Sequence, residues 1–307
     1  MTTPDSVLHP RPRVTRAQWT DLNGAWAFAY DDADRGIGER WQDDAGRFDR
    51  QITVPFPPES ELSGIGDTGF HPVLWYRRTF PATAEPGQRL LLHFGAVDYR
   101  AKVWVNGSLV AEHEGGHVPF SADITASLDA SGEQVVVVRA EDQPTDVTQP
   151  RGKQDWQEQP HAIWYNRTSG IWQTVWLEPV PETYVAELQL TPELADGSVR
   201  VEASLNQAYA GFLHIRLGRK GEVLAEQSVR VAGNFVDTRV VIPAAQNGVH
   251  RGDLHWTPDN PNLIDVTVTL LGADAKPVDA VDSYFGLRSV GIANGRFLLN
   301  DKPTFMR

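Results

Sequence analysis

The chain has 307 residues, enough for two ordinary domains or one large one, and its 28 Lys plus Arg against 40 Asp plus Glu give a net charge of −12. That balance disfavours nucleic acid as a partner, because phosphate binding needs surplus cations. There is no cysteine, which excludes disulfides, a thiolate nucleophile and a Cys-ligated metal. No apolar run approaches the roughly 18 residues of a membrane span, and the first thirty residues hold no signal-like core. A soluble, cytoplasmic protein without a membrane partner is expected. Ten Trp imply either a very aromatic core or an aromatic recognition surface.

In chain order the predicted elements are strands and turns. Trp26 to Tyr30 and Trp75 to Phe80 come first. "LLLHFGAVDYRAKVWVNGSLV", Leu90 to Val110, gives a strand, a Gly-Ala break, and a second strand. In the second, Tyr99, Ala101, Val103 and Val105 share one face, with Asp98, Arg100 and Lys102 on the other. Asn106-Gly107 closes a hairpin, since both positions of a type I′ turn need positive φ. Gln134 to Ala140 and Ile171 to Glu178 follow, separated by long Gly- and Pro-rich loops. These first 180 residues suit a jelly roll, two packed sheets with long end loops.

After Pro179-Val180-Pro181 the strands shorten and become regular: Tyr184 to Leu190, Val199 to Leu205, Phe212 to Leu217, Val223 to Val231, Val236 to Ile242, Leu263 to Leu271 and Val281 to Phe285. Seven short strands with turns such as Gly218-Arg219-Lys220-Gly221 between them predict an immunoglobulin-like sandwich over 181–287. The chain closes on "GRFLLNDKPTFMR", Gly295 to Arg307: an apolar strand, an Asn-Asp-Lys-Pro turn and the start of another strand. Strands there without partners predict poor order after about Val290, or self-association, so a homo-oligomer stays open.

Two short motifs resemble chemistry in the wrong context. Gly64-Ile65-Gly66-Asp67-Thr68-Gly69 fits a dinucleotide fingerprint, but Pro72 forbids the helix that motif requires. His113-Glu114-Gly115-Gly116-His117 fits the H-E-x-x-H zinc pattern, but two glycines after a strand remove the helix that would align both histidines. No metal and no cofactor is expected. The stretch Thr148 to Val180 carries more. It sets Arg151, Lys153, Asp155, Glu158, His161 and Asn166 beside Trp156, Trp164, Tyr165, Trp172 and Trp176. Aromatic faces cover the C–H surface of a sugar while carboxylates and amides take its hydroxyls, so carbohydrate is the expected ligand. Trp172 and Trp176 lie on the even face of a strand and are expected in the core; Arg151 to Asn166 lie on a polar loop, where binding groups concentrate.

Six segments in order, "WTDLNGAWAFAYDD", "GFHPVLWYRRTF", "DYRAKVWVNGSLVAEHEGGHVPFSADIT", "RTSGIWQTVWLE", "LHWTPDNPNLIDVTV" and "FGLRSVGIANGRFLLNDKPTFMR", resemble glycoside hydrolase family 2, the β-galactosidase and β-glucuronidase family. The resemblance implies an all-β chain: a jelly-roll sugar-binding-like domain at 1–180, an immunoglobulin-like β-sandwich at 181–287, and at 288–307 the start of a (β/α)₈ barrel. A barrel needs roughly 250 residues, so the two barrel glutamates that hydrolyse glycosides in that family have no counterpart, and no catalytic residue is assigned. The resemblance further implies substrate-binding roles for His71, for Asp155 with Trp156 on the aromatic loop, and for Arg307. The expected function is that of the N-terminal portion of a retaining β-glycosidase, inactive alone. A stand-alone carbohydrate-binding module and a purely structural pair of sandwiches are the alternatives.

Overall fold

A computed structural model describes residues 8–246 and 251–306. Contacts divide the chain into two compact units. One is Gln18–Pro179; the other is Val180–Arg307 together with the N-terminal segment ending at Ala17.

The Gln18–Pro179 unit is built from β1 (Thr20–Asp21), β2 (Gly24–Tyr30), β3 (Arg50–Val54), β4 (Val73–Pro81), β5 (Gln88–Phe94), β6 (Val97–Asp98), β7 (Arg100–Val105), β8 (Ser108–Glu114), β9 (Phe120–Asp123), β10 (Glu133–Glu141), β11 (Gly170–Ile171) and β12 (Val175–Pro181). A four-stranded sheet, β1-β12-β5-β9, and a six-stranded sheet, β3-β2-β4-β10-β7-β8, share one core, and β6 with β11 makes a short ladder. Phe28, Leu74, Val103 and Val136 enter that core from one sheet, and Leu92, Phe94, Val175 and Leu177 from the other.

The alternation read in β7 holds, with Ala101, Val103 and Val105 in the core. The outer face of this sheet is covered as well. Trp75 and Trp104 stack there with ring centroids 5.5 Å apart, joined by Val137 and flanked by Trp41. That second layer explains why β10 reads as an unbroken Val-Val-Val-Val run rather than an alternating one, since a strand buried on both faces has no wet side. Asn106 and Gly107 take φ of 49° and 79° between β7 and β8, as their hairpin requires. Asn106 also staples the hairpin: its amide donates to Ser127 O and Gln134 Oε1, both at 2.7 Å, and its Oδ1 accepts from the Val135 N–H at 2.9 Å.

The second unit has five main strands where the sequence predicts seven. They are β13 (Val185–Glu193), β14 (Ser198–Arg219), β15 (Glu222–Val241), β16 (Ile264–Leu271) and β17 (Pro277–Phe285). Val199 to Leu205 and Phe212 to Leu217 are two halves of β14, and Val223 to Val231 and Val236 to Ile242 merge into β15 except for Ile242. The register breaks between Ser204 and Tyr209, so β14 bends. Its first half pairs with β13 and its second with β16, and both halves feed one apolar core. A bulge of this kind lets one strand serve both layers of a sandwich. Arg16 is buried against Asp279, with contacts of 3.0 and 2.8 Å, and donates to Val185 O at 2.7 Å, while the Val185 N–H donates to the same carboxylate.

Beyond Leu287, β18 (Val290–Ala293), β19 (Arg296–Leu299) and β20 (Lys302–Pro303) form a small antiparallel meander. The expected disorder after Val290 is corrected by this sheet. Asn300 and Asp301 supply its second turn with φ of 52° and 62°. The Asn300 N–H donates to Ser289 O while its Oδ1 accepts from the Ser289 N–H, closing the meander onto its entry. Among the described residues no helix is long and apolar enough to cross a membrane.

Candidate functional site

The site is assembled from two loops of the Gln18–Pro179 unit: the turn ahead of β4, which carries His71, and the long connection from β10 to β11, residues 142–169, which carries Asp155 and Trp156. Ahead of β4, Asp67 organises the turn. Its Oδ1 accepts the Gly69 N–H at 2.9 Å and its Oδ2 lies 3.3 Å from His71 Nε2. The other ring nitrogen of His71 lies 2.9 Å from Asp32 Oδ1, and the ring stacks on Tyr30 at 3.7 Å. The Gly69 N–H, with the His71 ring assisting, holds Asp67 below the ordinary carboxylate range against its desolvation. His71 is therefore fixed between two carboxylates on an aromatic platform.

On the long loop, Asp155 is 1% exposed. Its Oδ1 accepts the Gln157 N–H at 2.9 Å, and its Oδ2 meets both the His161 N–H and His161 Nδ1 at 2.7 Å. Burial raises the Asp155 carboxyl, but the Gln157 and His161 backbone donors and the His161 ring outweigh it and pull it down. The result is a tight turn that draws Trp156 against His161 and Trp164, at 5.4 and 5.1 Å. In this structure both Asp155 oxygens hold the loop. Arg307 lies outside the described residues.

The two loops meet through Arg167. Its guanidinium donates to Thr68 O and Gly69 O at 2.9 and 2.8 Å and lies over the Phe70 ring at 4.0 Å. A water-sized cavity of about 10 Å³ separates Thr68 and Glu59 from Asp155 and Arg167. The structure thus brings the His71 turn and the Asp155 turn together.

Beneath the long loop lie carboxylates that no sequence signal marked. Glu59 accepts from the Ser169 hydroxyl at 2.6 Å. Asp98 accepts from the Gln154 amide at 3.0 Å, and Asp142 is bonded to the Gln149 amide. Desolvation raises all three, opposed by these donors, and lifts Asp98 to about 7 with Asp142 adding to the rise. Nothing in the spacing of these residues announces them: Glu59 and Asp98 find their partners 110 and 56 positions away, and Asp142 meets Gln149 within an irregular loop. The two strand tryptophans also separate. Trp176 is 4% exposed and stacks on His93, whereas Trp172 is half-buried at the loop surface, its indole N–H donating to Gly116 O at 2.7 Å. The histidines of the zinc-like pentapeptide part likewise: His113 stacks on Phe120, and His117 packs edge-on against Trp172.

These contacts build a rigid, polar and aromatic loop platform on a β-sandwich, an arrangement suited to recognising hydroxylated ligands. Residues 69–173 match the family model described as "Glycosyl hydrolase 2 galactose-binding domain-like", and residues 183–288 match "Glycosyl hydrolases family 2". The chain belongs to glycoside hydrolase family 2. This family 2 chain is 27% identical over 332 residues to a β-glucuronidase of Canis lupus familiaris, covering 97% of this chain and 49% of that protein. It is 28% identical over 240 residues to a β-galactosidase of Thermoanaerobacter pseudethanolicus, covering 76% of this chain and 31% of that one. The fold is shared with a β-glucuronidase from Ruminococcus gnavus solved with D-glucaro 1,5-lactone: TM-score 0.75, 22% identity, 96% of this chain and 50% of the other. The family 2 chain spans about half the length of the curated β-glucuronidases it matches, corresponding to their N-terminal region.

Proposed function

We propose that the chain is the N-terminal, non-catalytic portion of a retaining β-glycosidase that hydrolyses O-glycosidic bonds in carbohydrate substrates. One observation carries this reading: nearly all of the chain aligns with only half of a β-glucuronidase. On this reading residues 1–180 are the sugar-binding jelly roll, with the segment ending at Ala17 joined by its contacts to the sandwich at 181–287. Residues 288–307 lead into a (β/α)₈ barrel. The barrel supplies two glutamates about 5 to 5.5 Å apart, one nucleophile and one acid/base. The jelly roll supplies recognition. His71, held by Asp32 and Asp67, and Trp156, packed on Trp164, face the sugar. Asp155 is their positioning residue, because its carboxylate folds the turn that presents Trp156. Arg307 belongs to the first barrel strand.

A panel of chromogenic β-glycosides tests the reading. The 307-residue chain alone is expected to give no turnover on any of them, since general acid/base catalysis alone is worth about 10² to 10⁴ in rate and the nucleophile is lacking too. The complete gene product is expected to cleave at least one with retention of configuration. Turnover by the chain alone, or inversion by the complete product, overturns the proposal.

A further inference from the structure

Three strands of the second unit stand at the edge of their sheet. Among the described residues, β13 and β15 pair as strands only with β14, and β17 only with β16. An edge presents a row of N–H and C=O groups to any neighbouring strand, so folded proteins blunt it. β13 is blunted by Pro192 and by a bulge between Val185 and Glu187. β17 is covered: the Thr15 N–H donates to Asp282 O and the Asp282 N–H to Thr15 O, both at 2.9 Å. β15 has neither device over most of its length. It contains no Pro and no Lys. Its bulge, at Leu224, lies near one end, and over residues 225–233 its register on β14 is unbroken. A free edge of that length exceeds the roughly five or six residues of an ordinary strand.

The core is also unsealed along this edge. Val231 is 1% exposed, but Leu224, Ala225 and Val229, which pack on the same core, are only partly buried. A further strand laid beside β15 would cover them. The outward face of β15 carries Glu226, Ser228 and Arg230 in succession, all exposed. Arg230 makes no ion pair among the described residues, and Glu226 meets Arg216 at 3.2 Å in an exposed pair, the kind that contributes little. The order acid, serine, base is its own complement when reversed. An antiparallel copy centred on Ser228 sets Glu226 opposite Arg230 of the copy and Arg230 opposite Glu226 of the copy, and on the inward face sets Ala225 against Val231. Centring on Glu226 or Arg230 would place that charge on its own copy, and centring on Gln227 or Val229 would leave both charges unmatched. Opposite charges facing each other across strands stabilise and like charges destabilise, so charge selects the Ser228 register.

We propose that residues 225–233 of β15 pair antiparallel with the same stretch of a second copy of the chain, about a two-fold axis at Ser228, so that one sheet runs through both sandwiches. A contact of this kind uses the same patch on both copies and closes on itself, giving dimers rather than fibres. Sedimentation velocity of the 307-residue chain over a dilution series tests it, and a reversible monomer to dimer shift is expected. By the two-fold symmetry Arg230→Glu turns both cross-strand pairs into Glu against Glu, and Glu226→Arg turns both into Arg against Arg. Each is expected to weaken the dimer at least about tenfold. The two substitutions together restore opposite charges and are expected to return the affinity to within about threefold. Both side chains are exposed, so the fold is retained, and far-UV circular dichroism checks it. Deleting residues 290–307 is expected to leave the dimer intact. A natural chain that stays monomeric at every concentration, a dimer indifferent to the single reversals, or a double variant that remains monomeric overturns the proposal. Loss of the dimer with residues 290–307 overturns it too, by assigning association to β18 to β20. None of these outcomes bears on the glycoside assay, which reads a different property.

Discussion

Asp98 illustrates how a single side chain acquires chemistry from its surroundings. On the page of the sequence it is one acid among 40 Asp and Glu residues, placed on the wet face of a strand. In the fold it is 3% exposed, close enough to Asp142 to feel its charge, and its carboxyl is lifted to about 7. Unfolded, an aspartate titrates near 3.9. Between about pH 4 and 7 the unfolded chain therefore releases this proton while the folded chain keeps it. The group's stabilising contribution is full below that window and is lost as pH rises through it. Asp98→Asn keeps the shape and an oxygen for the Gln154 amide but cannot titrate. Melting temperatures at pH 5, 6, 7 and 8 are expected to show the variant gaining on the natural chain as pH rises, levelling off above about 7. A constant gap would mean that Asp98 is charged throughout. The aromatic composition was legible at this scale only as a pair of options, and burial divides the rings: Trp26, Trp75, Trp104 and Trp176 are buried, whereas Trp156, Trp164 and Trp172 stay partly open on the loop.

Among the elements, β14 and β15 teach most. Their segments read as four strands because apolar alternation lapses over Asn206 to Ala208 in β14 and over Gly233 and Asn234 in β15, and a lapse in alternation is also the sign of a turn. The backbone bends there instead and continues, carrying the chain from β13 across to β16. Gly211, just past the bend, marks the tightest point. A Cβ on it would stand 2.2 Å from Leu271 O and 2.8 Å from the Tyr209 ring. Gly211→Ala is expected to destabilise the second unit by about 1 to 3 kcal/mol, the usual cost of forcing extra volume into a packed site. Urea unfolding followed by β-sheet circular dichroism measures it, and an unchanged midpoint would show that the bend yields. The turn between β7 and β8 was readable from its own residues, because Asn-Gly encodes its own turn, although Ser127, Gln134 and Val135 also fasten Asn106.

For the whole molecule, the division into two units assigns the N-terminal segment to the later of them. Arg16 joins Asp279 across 263 positions and both are almost fully buried. Removing one partner of a buried pair strands the other charge, at a cost of about 3 to 5 kcal/mol. Arg16→Ala is accordingly expected to lower one calorimetric transition, that of the sandwich at 181–287, and to leave the jelly-roll transition in place. A drop in both would show that the units unfold together. The meander of β18 to β20 is the opposite case. Val290 to Ala293 are exposed throughout and Phe297 to Leu299 are only half-buried, so deleting residues 290–307 is expected to cost little more than the Asn300 to Trp256 hydrogen bond, about 1 kcal/mol by urea unfolding. A large fall would make the meander part of the sandwich.

What the sequence by itself determined are the features written in neighbouring residues: the all-β class, the change of texture near Val180, the Asn106-Gly107 turn, the aromatic loop, and the ordered motifs of family 2. Strand periodicity and turn chemistry act over a few positions, so a linear reading recovers them. Only the tertiary structure decided that Asp155 spends its oxygens on Gln157 and His161, that Trp172 surfaces while Trp176 is buried, and that Asp98 lies under Gln154. It alone placed Arg16 in the second sandwich. The Asp155 contacts are local but close an irregular turn that no periodicity marks; the others depend on which distant groups share a dehydrated space, where a carboxylate or an indole must find its partner or pay for lacking one.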